Sequence, residues 1–233
     1  MRVSRSKSSS PRPDPTAFVR SNTRLVPVRS IPEIKLHTAH EATGLWRLSE
    51  PQADGADPPP PYWAFPWAGG LALARYILDH PGIVHDRRVL DLGAGSGLVA
   101  IAAALAGAGT VVAAEIDPYA LASMALNAPA NGVSVSAIAD DLTGGPEPAV
   151  DLILVGDLFY ERELAKRVSA FLDRCLAANI EVLVGDPGRQ YLPNARLRRL
   201  AEYTVPDVGD VEGATTQRSA VYAYGEADRL HRT

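Results

Sequence analysis

The segment VLDLGAGSG, Val89 to Gly97, contains the residues best suited to chemistry, because three alternating glycines follow a run of apolar residues. Glycine is needed where a ligand passes too close to the backbone for a Cβ, or where φ is positive. If the apolar run is a strand and a helix begins after Gly97, the free N–H groups of that helix bind a carboxylate or a phosphate. The segment therefore predicts a ligand-binding loop at Gly93, Gly95 and Gly97.

Acidic residues near this loop indicate which ligand it holds. Glu115 follows Gly93 by 22 residues, a spacing that places a carboxylate against the hydroxyls of a ribose. The dinucleotide pattern G-x-G-x-x-G would need glycine at Leu98, whereas the spacing here is G-x-G-x-G with Asp91 ahead of it. This pattern favours S-adenosylmethionine as the cofactor. A nicotinamide-dependent oxidoreductase and a tight turn that binds nothing are the alternatives.

Three more aspartates follow later predicted strands. Asp140 and Asp141 come where such a fold reaches the adenine, so either could accept a hydrogen bond from its amine or could cap a turn. Asp157, in the segment GDLFY, should face the crevice at the carboxyl ends of the strands, where the reacting group lies. The segment lacks the Asn/Asp-Pro-Pro-aromatic sequence typical of enzymes that methylate planar nitrogens, which indicates a different acceptor.

The elements that must position these residues alternate short β-branched runs with Ala- and Leu-rich helical patterns. This alternation predicts an α/β fold: a doubly wound, mostly parallel seven-stranded sheet with helices on both faces and a terminal antiparallel hairpin. A first helix starts near Leu71 and ends before Pro81. The other expected helices span residues 98–106, 118–127 and 161–177; the expected strands span residues 88–92, 110–114, 133–137, 152–155, 181–184, 200–205 and 219–224.

Composition restricts the class of protein further. No apolar run approaches the roughly 18 residues that a membrane helix needs, and we expect no membrane association. Cys175 is the only cysteine, which excludes an internal disulfide framework and indicates a reducing compartment. The five histidines show no metal-like spacing, so no metal is expected. The preference for arginine over lysine suggests a GC-rich bacterial genome and hence the cytoplasm, or the mitochondrial matrix if the source is eukaryotic.

The chain divides into three predicted regions. Residues 1–30 carry seven cations against Asp14 alone, with several serines and prolines, and are expected to be a disordered tail. A mitochondrial transit peptide is the alternative, and a nucleic-acid-binding arm is disfavoured because the rest of the chain is acidic. Residues 31–61 form an extension and a proline-rich connection, and residues 62–233 form the catalytic domain.

From about Ile31 to Tyr224 the chain resembles the lysine methyltransferases that modify the β-subunit of electron transfer flavoprotein, a branch of the seven-strand methyltransferases. The resemblance is carried by IPEIKL, PYWAFPWAGG, DLGAGSG, EIDPYA, GDLFY and GDPGR. Where that family has Trp-Pro-Gly-Gly, this chain has Trp67, Ala68, Gly69 and Gly70.

The resemblance implies transfer of methyl groups from S-adenosylmethionine to lysine side chains of the flavoprotein β-subunit, with S-adenosylhomocysteine as the product and no nucleic acid involved. It implies that Trp67, Gly93, Glu115 and Asp141 contact the cofactor. Asp157, Phe159 and Tyr160 would form the catalytic acceptor channel, with Trp63 beside them. A ribosomal-protein lysine methyltransferase and a non-catalytic module that binds the flavoprotein are the alternatives.

Such a reaction has a protonation requirement, because a lysine amine attacks the methyl group only when it is neutral. Neutralising an ordinary lysine at pH 7 costs about 4.6 kcal/mol. Aromatic side chains lower this cost by removing water from the amine, and Trp63, Phe65, Phe159 and Tyr160 are the expected ones. The role expected of Asp157 is to attract and orient the lysine.

Overall fold

The computed structural model describes residues 14–39, 60–206 and 215–225. A seven-stranded sheet forms the centre of the molecule, in the order β5-β4-β3-β6-β7-β9-β8. The strands are β3 (Arg88–Leu92), β4 (Thr110–Ala114), β5 (Ser136–Ile138), β6 (Leu152–Gly156), β7 (Glu181–Asp186), β8 (Leu197–Pro206) and β9 (Thr216–Tyr224). Strands β3 to β7 pair in parallel, and β9 is antiparallel to both β7 and β8. The predicted sheet and its terminal hairpin are therefore confirmed.

Helices cover both faces of this sheet. They are α2 (Ala68–Asp79), α3 (Leu98–Leu105), α4 (Pro118–Ala130) and α5 (Arg162–Ala177). Along β3, Val89 faces α2 and α3, whereas the next residue, Leu90, faces α5. This alternation follows from the period of two along a strand, and it makes the central strands apolar on both faces.

One predicted strand is displaced. Residues 133–137 were expected to be extended, but β5 begins at Ser136 and is only three residues long. The Val133 amide donates to the Ala128 carbonyl at 3.1 Å, so the chain is still closing the end of α4 at this point. The apolar residues Val133 and Val135 pack against helices instead of pairing with β4.

The prediction that residues 1–30 are disordered is wrong for residues 14–30, which form regular structure. Residues 1–13 lie outside the described residues. Helix α1 (Pro15–Asn22) begins with Asp14, whose carboxylate accepts the Ala17 amide at 2.8 Å, and has proline at its first position. Strands β1 (Arg24–Val28) and β2 (Ile31–Thr38) then form an antiparallel hairpin. Its buried side chains pack on α2, α3 and α4, which explains why a basic sequence is ordered here.

A buried asparagine connects this hairpin to the glycine loop. Asn127 on α4 accepts a hydrogen bond from the His37 amide (2.7 Å) and donates one to the Ser96 carbonyl (2.9 Å). Its side chain is fully buried. The N-terminal hairpin therefore takes part in fixing the loop that the sequence singles out.

Candidate active site

A cavity of about 530 Å³ opens at the carboxyl ends of β3, β4 and β6, where ligands bind in open α/β sheets. Its size is within the range of small-molecule sites. Among the residues predicted from the sequence, all but Gly97 and Phe159 line it: Trp63, Phe65, Trp67, Asp91, Gly93, Gly95, Glu115, Asp140, Asp141, Asp157 and Tyr160.

The glycine loop adopts the backbone that its composition requires. Gly93, Gly95 and Gly97 all have positive φ, at 69°, 52° and 83°. A Cβ at Gly93 would lie 2.6 Å from Leu158, and one at Gly97 would lie 2.9 Å from Met124. A Cβ at Gly95 would meet nothing within 4 Å, so this glycine faces the open cavity. Gly97 does not line the cavity, and its lack of a Cβ lets α4 pack closely at Met124; its role in binding the cofactor stays a prediction.

Asp91 has a structural task that the sequence did not reveal. Helix α3 has Gly97 at its N-cap and no side chain of its own to cap it. The buried Asp91 carboxylate accepts the Ala100 amide at 2.9 Å and so satisfies one of the free N–H groups of this helix. Burial raises the pKa of Asp91 to about 7, and the charge of Glu115 raises it too.

Glu115 lies at the end of β4 against the glycine loop. Its Oε2 atom accepts the Gly95 amide at 2.8 Å, and Oε1 accepts the amides of Ile116 (2.7 Å) and Asp117 (3.0 Å). A carboxylate has about four acceptor positions, so one remains for a further donor. The next residue, Ile116, is 70% exposed and also lines the cavity, where it offers an apolar surface.

Asp140 and Asp141 follow β5 and lie in the cavity wall. Asp141 caps a short 3-10 turn by accepting both the amide (2.9 Å) and the hydroxyl (2.6 Å) of Thr143. The Thr143 hydroxyl is the main cause of the lowered pKa of Asp141. Asp140 Oδ1 accepts the Asp141 amide at 2.8 Å. Asp141 therefore caps a turn, and the second carboxylate oxygen of Asp140 has no hydrogen-bond partner among the described residues.

Asp157 joins three parts of the chain at the other end of the cavity. Its Oδ2 atom accepts the Gly70 amide at the start of α2 (2.7 Å), and its Oδ1 atom accepts Arg189 Nη2 (2.8 Å). Its backbone is left-handed, with φ of 60°, which is uncommon for a residue other than glycine. Burial raises the pKa of Asp157, and the Arg189 charge opposes that shift.

Arg189 is the main residue that sequence reasoning missed, although it ends the GDPGR segment. The buried Asp186 carboxylate accepts the amides of Gly188 and Arg189, each at 2.7 Å, and this turn directs Arg189 into the cavity. Its guanidinium lies 5.7 Å from the centre of the Trp67 ring, a cation–π distance. Burial raises the pKa of Asp186 to about 6.

Aromatic rings surround this ion pair. Trp67 and Tyr160 both lie near Tyr62, with ring centres 5.7 Å apart in each case. Tyr62 and Tyr160 are 42% and 45% exposed, so they stand at the entrance, whereas Trp63 is buried and stacks on Tyr119 at 6.3 Å. Tyr62 was not predicted, although it belongs to the PYWA segment.

The predicted channel role of Phe159 is wrong. Its side chain is fully buried in the core beneath α5 and does not line the cavity. Its neighbours Leu158 and Tyr160 line the cavity instead. The left-handed backbone at Asp157 ends the strand, so the alternation of side chains along β6 does not continue to Phe159.

Within the described residues, no three histidine, cysteine, aspartate or glutamate side chains are grouped as a metal site would require. In the same ranges, no helix is long and apolar enough to cross a membrane.

The fold and this site define a class I methyltransferase. A family model described as ribosomal protein L11 methyltransferase matches residues 74–158. The solved structure of a magnesium protoporphyrin IX methyltransferase from Synechocystis is similar in fold, with a TM-score of 0.50 at 15% identity over 67% of this chain and 79% of that one.

Relatives that match most of the chain indicate the family more specifically. The electron transfer flavoprotein beta subunit lysine methyltransferase of Danio rerio is 38% identical over 214 residues, which cover 89% of this chain and 82% of the relative. The Homo sapiens protein of the same name is 34% identical, with 91% and 82% covered. The chain belongs to the family of electron transfer flavoprotein β-subunit lysine methyltransferases.

Proposed function

We propose that this chain transfers methyl groups from S-adenosylmethionine to lysine side chains of the electron transfer flavoprotein β-subunit. The observation that carries the proposal is the cavity itself, which has the glycine loop and Glu115 at one end and Asp157 with the aromatic entrance of Tyr62 and Tyr160 at the other. Relatives that match over about nine-tenths of the chain carry this activity in their names.

The residues present fit the cofactor. Gly95 leaves open space at the loop, Glu115 retains an acceptor position for a ribose hydroxyl, and Asp140 has a free oxygen for the adenine amine. Ile116 would cover one face of the base. When bound, the cofactor supplies a methyl group on a positively charged sulfur.

The other end of the cavity suits a lysine. Tyr62, Trp67 and Tyr160 would exclude water from its alkyl chain and amine, which lowers the amine's pKa. Holding the amine in line with the methyl group would then contribute most of the acceleration, because effective molarities for oriented groups correspond to about 7–11 kcal/mol. The Asp157 carboxylate, which holds Gly70 and Arg189, orients this end of the site rather than taking a proton.

The test is transfer of radiolabel from S-adenosylmethionine to purified flavoprotein β-subunit, followed by mass spectrometry to locate modified lysines. Ribosomal protein L11 should be assayed in parallel, because the matching family model bears that name. Label in the ribosomal protein alone would reject the flavoprotein assignment in favour of the ribosomal alternative. Titration with S-adenosylhomocysteine and NAD, followed by tryptophan fluorescence, tests the cofactor separately. The cellular location stays a prediction from composition.

A further inference from the structure

Arg189 and Asp157 form an ion pair in the cavity wall. Arg189 Nη2 lies 2.8 Å and Nε lies 3.3 Å from Asp157 Oδ1. The other carboxylate oxygen accepts the Gly70 amide. The two side chains are 24% and 10% exposed, so solvent screens their charges only partly. The charge of Asp157 is therefore balanced by a cation of the chain itself.

The position of this cation is well fixed. The Asp186 carboxylate holds the turn that carries Arg189, Asp157 binds the guanidinium, and the Trp67 ring lies beneath it. Three contacts from three parts of the chain thus place a positive charge at the aromatic end of the cavity. A purely structural ion pair would not need to face the ligand site.

This placement bears on the protonation of the acceptor. An unbalanced carboxylate at Asp157 would stabilise a lysine as ammonium, which cannot attack, whereas a nearby cation destabilises the ammonium. Resting on the proposed lysine methylation, we propose that Arg189 is a positioning residue that keeps the acceptor amine neutral. It does so by balancing the charge of Asp157, which would otherwise stabilise the ammonium form of the acceptor, while the released proton passes to solvent.

The other titratable groups near the pair keep their charge over the pH range in which the acceptor lysine is expected to lose its proton. Burial raises the pKa of Tyr160, and that of Asp186 is raised to about 6. Neither group changes charge between about pH 7 and pH 9, where a partly desolvated lysine titrates. Asp186 interacts electrostatically with both Asp157 and Arg189, and Tyr160 interacts with Arg189. Tyr160 in turn has Tyr62, Glu115 and Glu161 around it.

The first experiment measures kcat against pH, with flavoprotein β-subunit and S-adenosylmethionine saturating. In Arg189→Gln, the midpoint of the alkaline-rising limb should move up by about one pH unit or more, because an unbalanced charge within about 4–6 Å of a group shifts its pKa by about 1–3 units. Arg189→Lys keeps the charge and should keep the midpoint. Arg198→Gln, which removes an exposed arginine on β8 outside the cavity, is the matched control.

A uniform loss of kcat in Arg189→Gln with an unmoved midpoint would overturn the inference. If wild type methylates no lysine at any pH, it is the proposed function that fails. Should Arg189→Gln not fold, as judged by thermal unfolding, Asp157→Asn gives the test with the opposite sign. It leaves the Arg189 charge unbalanced, so the midpoint should move to lower pH, and an unmoved midpoint would reject the inference.

The second experiment does not depend on turnover. Flavoprotein β-subunit is titrated calorimetrically into the protein with S-adenosylhomocysteine bound, in two buffers of different ionisation enthalpy, at pH 8. The difference in heat gives the protons released on binding. Wild type and Arg189→Lys should release more protons than Arg189→Gln, and equal release by all three would contradict the proposal.

Discussion

The Asp157 carboxylate accepts the Gly70 amide at 2.7 Å, although the two residues are 87 positions apart. This hydrogen bond joins the end of β6 to the first turn of α2, and the aromatic entrance segment runs directly into that turn. Because the same carboxylate binds Arg189, one side chain fixes three segments around the acceptor end of the cavity.

Asp157→Asn should therefore impair the reaction far more than cofactor binding. An amide has one acceptor oxygen and cannot satisfy both the Gly70 amide and the guanidinium. We expect kcat to fall on the order of 100-fold, since small misplacements have such effects, with the Kd for S-adenosylhomocysteine changed by less than about threefold. Activity assays and calorimetry measure the two quantities. Unchanged lysine methylation would exclude this role, and no methylation even by wild type would favour the non-catalytic module.

Gly69→Ala should destabilise the fold strongly. A Cβ at Gly69 would lie 2.2 Å from the Gly185 carbonyl oxygen and 2.7 Å from Asp157 Oδ2, and the carbonyl is backbone that cannot turn aside. Overpacking costs about 1–3 kcal/mol where side chains can adjust, and we expect a loss of at least about 3 kcal/mol here. Urea unfolding measures it. Gly70→Ala is the matched control, because a Cβ at Gly70 would lie no closer than 3.8 Å to any neighbouring atom. Equal losses of unfolding free energy in the two variants would refute the explanation.

Asp91 should make stability depend on pH. Its folded pKa of about 7 is above the ordinary value of 3.8, so its contribution is fully present below about pH 4 and is lost as pH rises through 7. Asp91→Asn removes this dependence while keeping an acceptor for the Ala100 amide. The free energy of unfolding of wild type, relative to the variant, should decrease by about 4 kcal/mol from pH 4 to pH 8.

Urea unfolding at several pH values checks this prediction, and Asp151→Asn is its control. Arg88 lowers the pKa of Asp151 to about 2, so the sign is reversed. The advantage of wild type over Asp151→Asn should be present above about pH 4 and disappear as pH falls through 2. Parallel pH profiles for wild type and Asp91→Asn would mean that the buried carboxylate is not perturbed as described.

Asn127→Ala should weaken both the fold and cofactor binding. The substitution leaves the Ser96 carbonyl and the His37 amide without their partner, which costs about 2–4 kcal/mol in total. Since Ser96 belongs to the glycine loop, the affinity for S-adenosylhomocysteine should also fall. Asn131→Ala is the comparison: Asn131 holds Lys35 of the same hairpin by two hydrogen bonds but does not contact the loop. Asn131→Ala should lower the stability without changing the affinity for S-adenosylhomocysteine. If both variants lost affinity, the cause would be the hairpin and not the contact with the glycine loop.

The features that sequence predicts well here depend on local pattern. The parallel strands, the glycine loop and the position of Glu115 follow from apolar runs and from the spacing of residues near one another in the chain. Phe159 was misplaced because the left-handed turn at Asp157 changes which side chains face the cavity, and a sequence does not show φ at an aspartate.

Contacts between distant segments account for the remaining errors. Arg189 enters the site only because Asp186 folds its turn and Asp157, 32 positions away, binds it. The order of residues 14–30 depends on α4, where Tyr119 packs against Phe18 at 5.1 Å. A basic composition predicts disorder, and only these long-range partners overcome it.

The contact between Gly69 and Gly185 also restricts how a folded protein substrate reaches the cavity. Helix α2 is seated directly on β7 there, with no side chain between the backbones, so it has no freedom to slide along the sheet. The side chains of Tyr62 and Tyr160, which are 42% and 45% exposed, are left as the parts of the entrance that a substrate meets first. Substitutions that widen the entrance are therefore best made at these two rings, because a side chain at Gly69 or Gly185 would force α2 away from the sheet.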